Sequence, residues 1–220
     1  MLKPKIKICG ITNLIDAKNA LQLGADYIGF VNIINSPRFI TSQQIEDIFI
    51  QLTDEERLKA VILTDLDTID GIMNLCTSIG IKIVQPYGSF SNSELDRLKL
   101  MNYRILKPLH VEVEEDISTL DTYQTSVEVI ILDTKTSNPE VLGGTGETFD
   151  WDIYIKAQKR SEVKLALAGG LNLDNISEAL SRCNPYMIDI SSGLESSPGI
   201  KSYSKMKALF ESTSLSRLES

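Results

Sequence analysis

The sequence predicts an α/β protein, a single (β/α)8 barrel spanning residues 1–220. Three observations predict it. Eight short runs rich in β-branched residues alternate with segments of helical period along the whole chain, the pattern of βαβ units on a parallel sheet. Five of the seven intervals between successive strand starts are nearly equal, and no linker interrupts them. Three of the strands run out into residues that carry chemistry: Cys9-Gly10, Asp133-Thr134-Lys135 and Gly169-Gly170. The C-terminal ends of barrel strands are where this fold keeps its active groups. The alternative arrangement is an open doubly wound sheet.

In chain order, strands are expected to begin near Lys5, Tyr27, Lys59, Lys82, Arg104, Val127, Lys164 and Met187. Helices are expected over Asn13 to Leu23, Ser42 to Gln51, Thr68 to Ile79, Ser91 to Met101, Glu114 to Tyr123, Asp150 to Lys159, Asn172 to Arg182 and Ser202 to Ser212. Thr12, Thr41 or Ser42, Ser91 and Asn172 carry the short oxygen-bearing side chains that cap helix N-termini. Gly24 and Gly80 suit the left-handed position just past a helix. The two long intervals fall in units two and six, which hold Asn35-Ser36-Pro37-Arg38 and Gly143-Gly144-Thr145-Gly146-Glu147-Thr148. A barrel gains function by lengthening the loops after its strands, so both are candidate functional loops. The tail after Phe210 is expected to fray.

Composition narrows the function. The chain has 220 residues, 42% hydrophobic and 24% charged, enough to bury a full core. A formal net charge of -8 argues against a nucleic-acid or membrane-surface partner, either of which would select a basic face. Any anionic ligand must be held by local features. No apolar run approaches a membrane span and the start, Met-Leu-Lys-Pro-Lys, has no signal-peptide core, so a cytoplasmic location is expected. Cys9, Cys76 and Cys183 show no paired spacing, and His110 is the sole histidine, so neither a disulfide framework nor a His-based triad is indicated.

Within the first strand, period two groups Lys5, Lys7 and Cys9 on the face pointing into the barrel and Ile6 and Ile8 toward the helices. An ammonium two residues from a thiol would favour the thiolate, which makes Cys9 a candidate base or nucleophile; the other reading is a small buried hydrophobe. Cys76 and Cys183 read as packing residues. In the sixth strand, Val129, Ile131 and Asp133 face inward with Ile130 and Leu132 outward. A carboxylate desolvated at the strand end has its pKa pushed up and can act as a general acid; its other reading is a cap. Gly169-Gly170 and Ser191-Ser192-Gly193, after strands seven and eight, offer bare backbone N–H groups and hydroxyls at the usual phosphate site of a barrel. Gly144 and Gly146 suit a further contact or a mobile lid. Arg38 can hold an anion with its fork, although on sequence alone a solvated loop arginine is the plainer reading. His110 reads as structural, and Asp65 and Asp67 as a solvated turn.

Together these segments resemble the phosphoribosylanthranilate isomerase family of tryptophan biosynthesis. The resemblance rests on Lys7-Ile8-Cys9-Gly10-Ile11-Thr12-Asn13, Gly24-Ala25-Asp26 through Gly29-Phe30, Ser36-Pro37-Arg38, Leu132-Asp133-Thr134-Lys135, Gly144 through Trp151, Gly169-Gly170-Leu171-Asn172 and Asp189 through Glu195, in order along almost the whole chain. It implies an Amadori rearrangement of a phosphosugar-anthranilate substrate by a monomer or homodimer, with no metal or organic cofactor. It also implies Asp133 as acid, Cys9 as base, Arg38 on the anthranilate carboxylate, and Lys7, Gly144, Gly146, Gly169, Gly170, Asp189, Ser192 and Gly193 around the substrate.

The chain departs from the family pattern at three walls. Gln85-Pro86-Tyr87-Gly88 stands where Gln-Leu-His-Gly is usual, Leu63-Thr64-Asp65 where Phe-Val-Asn is common, and Asn32-Ile33-Ile34 where aromatics are usual. Competing readings are weaker. An imidazole-carboxamide isomerase would want an aspartate where Cys9 stands, and a ribulose-phosphate epimerase would want His and Asp metal ligands. A catalytically silent phosphometabolite-binding barrel has no need of Cys9 and Asp133 together.

Overall fold

A computed structural model describes residues 3–123, 126–134 and 148–215. Eight parallel strands close into a barrel in sequence order: β1 (Lys5–Cys9), β2 (Tyr27–Asn32), β3 (Ala60–Thr64), β4 (Ile83–Pro86), β5 (Arg104–Val111), β6 (Val129–Thr134), β7 (Lys164–Leu167) and β8 (Met187–Ile190). β8 pairs with β1 in the register Lys5↔Met187, Ile6↔Ile188, Lys7↔Asp189, Ile8↔Ile190. Around the barrel run α1 (Leu14–Leu23), α2 (Ser42–Phe49), α3 (Asp54–Arg57), α4 (Ile69–Ile79), α5 (Asn92–Leu100), α6 (Trp151–Arg160), α7 (Ile176–Cys183) and α8 (Tyr203–Leu215). No helix among the described residues is long and apolar enough to cross a membrane.

The strand alternation builds two layers of core. Ile6, Ile8, Ile28, Phe30, Ile62, Ile130 and Leu132 point outward and are buried under the helices. Cys9, Tyr27, Val31, Val61, Leu63, Val129, Ile131 and Ala166 point inward and fill the barrel. The inward and outward sets of the first and sixth strands are those the period-two pattern predicts.

Helix ends follow local chemistry. Thr41 and Ser91 cap α2 and α5 with reciprocal bonds to Gln44 and Glu94, and Gly24 and Gly80 close α1 and α4 in the left-handed conformation. Four expectations are corrected. Asn13, not Thr12, caps α1, its Oδ1 accepting the Asp16 N–H at 2.8 Å; Thr12 Oγ1 donates instead to the Gly199 carbonyl at 2.5 Å. Asn172 does not cap α7: its Oδ1 accepts the N–H groups of Asp174 and Asn175, an Asx turn that delays the helix to Ile176. The segment Glu114–Thr122 is a 3-10 helix. Its buried residues Ile117 and Leu120 lie three apart, the 3-10 repeat, and its Ser, Thr and Asp residues are weak α-helix formers. Thr53 starts the extra helix α3 through its own capping box with Glu56.

One further element follows the last barrel strand. A 3-10 turn (Ser192–Leu194) leads into an antiparallel hairpin of β9 (Glu195–Ser197) and β10 (Ile200–Lys201), turned at Gly199 and docked on α1 through the Lys201 N–H to Asp16 Oδ2 bond at 2.8 Å. Thermal unfolding tests the layer between barrel and helices. Ile62→Ala, at a fully buried site, should cost about 2–5 kcal/mol, lowering Tm by roughly 2–4 °C for each kcal/mol lost.

Candidate active site

Of the candidate residues in the described segments, Cys9, Arg38, Asp133, Gly169, Gly170, Asp189 and Ser192 line one cleft at the C-terminal mouth of the barrel, and Lys7 is buried against Asp189. A cleft of about 600 Å³, open to solvent, is lined by Cys9 from β1, Arg38, Tyr87, Asp133 from β6, Gly169 and Gly170 after β7, and Asp189, Ser191 and Ser192 at and beyond β8. Val31, Ile33 and Leu63 complete an apolar wall on the side of β2 and β3. Gly144 and Gly146 lie outside the described residues.

The electrostatic centre is a buried pair. Lys7 has no solvent exposure, and its Nζ donates to Asp189 Oδ2 at 2.7 Å. Burial opposes the ammonium, but the charges of Asp189 and Cys9 and the hydrogen bonds to them hold its pKa above the ordinary lysine value. Asp189 Oδ1 is buried without a partner among the described residues. Burial pushes the Asp133 carboxyl up to about 7, reinforced by the Asp189 charge and offset by the Thr134 N–H and Lys7. The general-acid expectation for Asp133 therefore has a physical basis. The thiolate expectation for Cys9 is corrected: burial, helped by Asp189, raises the thiol above its ordinary value despite Lys7 and Lys201 nearby. Lys7 spends its charge on Asp189, so the resting group is a thiol.

The glycine loops touch one another and neighbouring strands with no room to spare. Gly169 and Gly170 have φ of 80° and 61°, which side-chain-bearing residues rarely adopt, and a Cβ at Gly169 would collide with Thr134. A Cβ at Gly193 would collide with the Leu171 carbonyl and Asn172, so the loops after β7 and β8 are in backbone contact. The result is a stretch of glycine backbone at Gly169 and Gly170 beside Ser191 and Ser192, suited to an anion.

Arg38 is not a solvated loop residue. It is buried, and its Nε and Nη2 donate to Glu195 Oε1 and Oε2 at 2.8 and 2.9 Å. Lys201 Nζ, also buried, donates to Glu195 Oε1 at 2.8 Å. Sequence reasoning missed both partners, because nothing local marks two residues 157 apart as a pair. The available signal was the position of Glu195 just beyond the Ser191-Ser192-Gly193 loop. Across the cleft, Gln85 Nε2 donates to Tyr87 Oη at 3.2 Å, and burial keeps the phenol protonated well above its usual range. The His110 ring leans against Tyr87 with centroids 5.9 Å apart. Lys107 Nζ donates to the Pro86 and Gly88 carbonyls at 3.2 and 2.9 Å, pinning the chain on both sides of Tyr87; burial pulls this ammonium down to about 8. Cys76 and Cys183 are packed in the outer core as expected.

The family model for N-(5'-phosphoribosyl)anthranilate (PRA) isomerase matches residues 6–212. The N-(5'-phosphoribosyl)anthranilate isomerase of Pelobacter propionicus is 36% identical over 217 residues, covering 98% of each chain. This chain belongs to the PRA isomerase family. Among solved structures, the PRA isomerase of Thermotoga maritima superposes with a TM-score of 0.83 at 29% identity, covering 96% of this chain and 98% of that one. A PRA isomerase in complex with reduced 1-(o-carboxyphenylamino)-1-deoxyribulose 5-phosphate superposes with a TM-score of 0.81 at 27% identity and the same coverage.

In this PRA isomerase family member the buried pair at the seam is expected to matter for stability through its wholeness. Lys7→Met leaves the Asp189 carboxylate buried and uncompensated and should cost about 3–5 kcal/mol, whereas the double replacement Lys7→Met with Asp189→Leu should recover most of the loss. Urea midpoints of the three proteins measure this. Equal stability of the single variant and the parent would show that water already solvates the pair.

Proposed function

We propose that the chain isomerises N-(5'-phosphoribosyl)anthranilate to 1-(o-carboxyphenylamino)-1-deoxyribulose 5-phosphate, with Asp133 as general acid and Cys9 as general base. The observation that carries this reading is the buried Asp133 carboxyl, titrating near 7, in one cleft with the Cys9 thiol and the glycine loops. A carboxyl of that pKa still carries its proton in about half of the molecules at neutral pH and gives it up readily to an ether oxygen.

The steps balance as two proton transfers with the protein, one given and one taken, followed by a tautomerisation. Asp133 protonates the ribose ring oxygen as the C1–O bond breaks, and the amine lone pair forms the C1=N iminium. The Cys9 thiolate then takes the C2 proton, the C–H electrons form C1=C2, and the iminium becomes an enolamine. Tautomerisation moves the hydroxyl proton of C2 to C1 and yields the ketone. No step calls for a metal or an organic cofactor. The phosphate sits on the loops of Gly169, Gly170, Ser192 and Gly193, the aromatic ring against Val31, Ile33, Leu63 and Tyr87, and the carboxylate on Arg38. Asp189, through its unpartnered Oδ1, accepts from a substrate N–H or hydroxyl, while Lys7 holds that carboxylate in place. The three free cysteines fit a reducing, cytoplasmic setting.

Turnover is read directly as loss of substrate fluorescence on adding purified protein. Cys9→Ala and Asp133→Asn should each cut kcat by about 10² to 10⁴ while leaving the circular dichroism spectrum unchanged. A folded parent that gives no turnover sinks the proposal.

The pKa directions fix the pH profile. With Asp133 near 7 and Cys9 above its ordinary range, the competent form, thiolate beside carboxylic acid, is a proton isomer of the singly protonated pair. That pair exists only after the first proton leaves, so kcat/KM should rise through pH of about 7 and fall only at a pH above that of a free thiol. A profile already flat below pH 6 would exclude Asp133 as the acid-side group.

A further inference from the structure

We propose that Glu195 is a positioning residue that turns Arg38 so that one chosen edge of its guanidinium meets the substrate carboxylate. The inference rests on the isomerase reading above and adds a residue that touches no substrate.

A guanidinium has two edges that can grip a carboxylate bidentately: the side edge of Nε and Nη2, and the end edge of Nη1 and Nη2. Glu195 takes the side edge, with both bonds formed and both partners buried. Nη1 has no acceptor among the described residues, so the end edge is the one left for a ligand in the cleft that Arg38 lines. A second carboxylate can therefore dock only end-on, which fixes its plane as well as its place.

Glu195 does not cancel the charge it orients. Lys201 Nζ donates to the same carboxylate, and further to Ser191 O and Oγ at 3.2 and 3.4 Å. Two cations share one anion, and the cluster keeps one positive charge in a chain whose net charge is -8. An arriving aryl carboxylate brings the cluster to two of each. The stem of Arg38 lies directly over Gly10, where a Cβ would come within 2.7 Å of Arg38 Cδ and 2.9 Å of Ser191 Oγ. The oriented fork is thus held beside the end of β1, one residue from Cys9. The hairpin that supplies Glu195 is docked independently of its carboxylate, through the Lys201 N–H to Asp16 bond and the Thr12 to Gly199 bond. Neutralising Glu195 should leave the hairpin in place and release the fork.

The test compares parent and Glu195→Gln on N-(5'-phosphoribosyl)anthranilate and on three probes: inorganic phosphate, reduced 1-(o-carboxyphenylamino)-1-deoxyribulose 5-phosphate, and the same compound without its carboxyl group. The expected result is a KM raised about tenfold or more with kcat within about threefold. Affinity for the carboxylated analogue should fall by a similar factor, while affinity for phosphate and for the decarboxylated analogue stays at the parent value. On an Arg38→Lys background, Glu195→Gln should add little, because the side edge it served is gone. If Glu195→Gln fails to fold, the more conservative Glu195→Asp is read by the same pair of analogues. Equal weakening of both analogues, weakened phosphate binding, or a loss confined to kcat would overturn the positioning role and leave the isomerase reading standing. A parent without turnover would remove the isomerase reading first.

Discussion

Lys7 and Asp189 face each other across the seam where the last barrel strand meets the first, 182 residues apart in sequence and 2.7 Å apart in space. They are also register partners of the β1–β8 ladder. A slip of one residue at that seam would turn Lys7 out among the isoleucines under the helices and leave Asp189 alone inside the barrel, a penalty far larger than any gain from a shifted ladder. The pair therefore specifies how the barrel closes. The same pair tunes a protonation that burial sets: burial raises both Asp133 and Cys9, the Asp189 charge adds to it and Lys7 offsets it. Closure of the fold and the proton affinities of Asp133 and Cys9 thus share one set of charges.

Around that centre the cleft is two-sided. The rim from β7 through β1 carries Gly169, Gly170, Ser191 and Ser192, with Arg38 from the loop after β2 folded over Gly10; the wall from β2 to β4 is Val31, Ile33, Leu63 and Tyr87. A ligand with an anionic end and an aromatic end matches this division, and the local cations do the work that a net charge of -8 cannot. The segment bearing Tyr87 is held from behind by Lys107, whose two bonds go to carbonyls on either side of it.

The barrel was legible because each strand carries its own evidence. Alternation in Lys5–Cys9 and Val129–Thr134 sorts side chains in and out with no knowledge of the rest of the chain. Glycine stops and Ser or Thr caps are equally local, so α2 begins at Ser42 as expected and α5 at Asn92, directly after the expected cap Ser91. What failed to show was whatever depends on distant neighbours. Arg38 looked solvated because Glu195 and Lys201 lie far along the chain, and the β9–β10 hairpin that brings them is too short to display a period. Cys9 looked like a thiolate because Lys7 is visible two residues away. The burial that raises it, and Asp189, which claims the lysine, are properties of the closed barrel. Asn172 was misplaced by a choice between two local uses of one side chain, cap or turn, which composition does not decide.

The hairpin of Glu195 to Lys201 also has a bearing on synthesis. Synthesis runs from β1 toward this hairpin, so Cys9 leaves the ribosome long before Glu195 and Lys201 do. Until β8 is made, β1 lacks the strand that pairs with one of its edges, and Cys9 lacks the burial that raises its thiol in the closed barrel. A chain ended or clipped ahead of β9 lacks both the Glu195 carboxylate that Arg38 and Lys201 share and the bond that fastens the hairpin to α1.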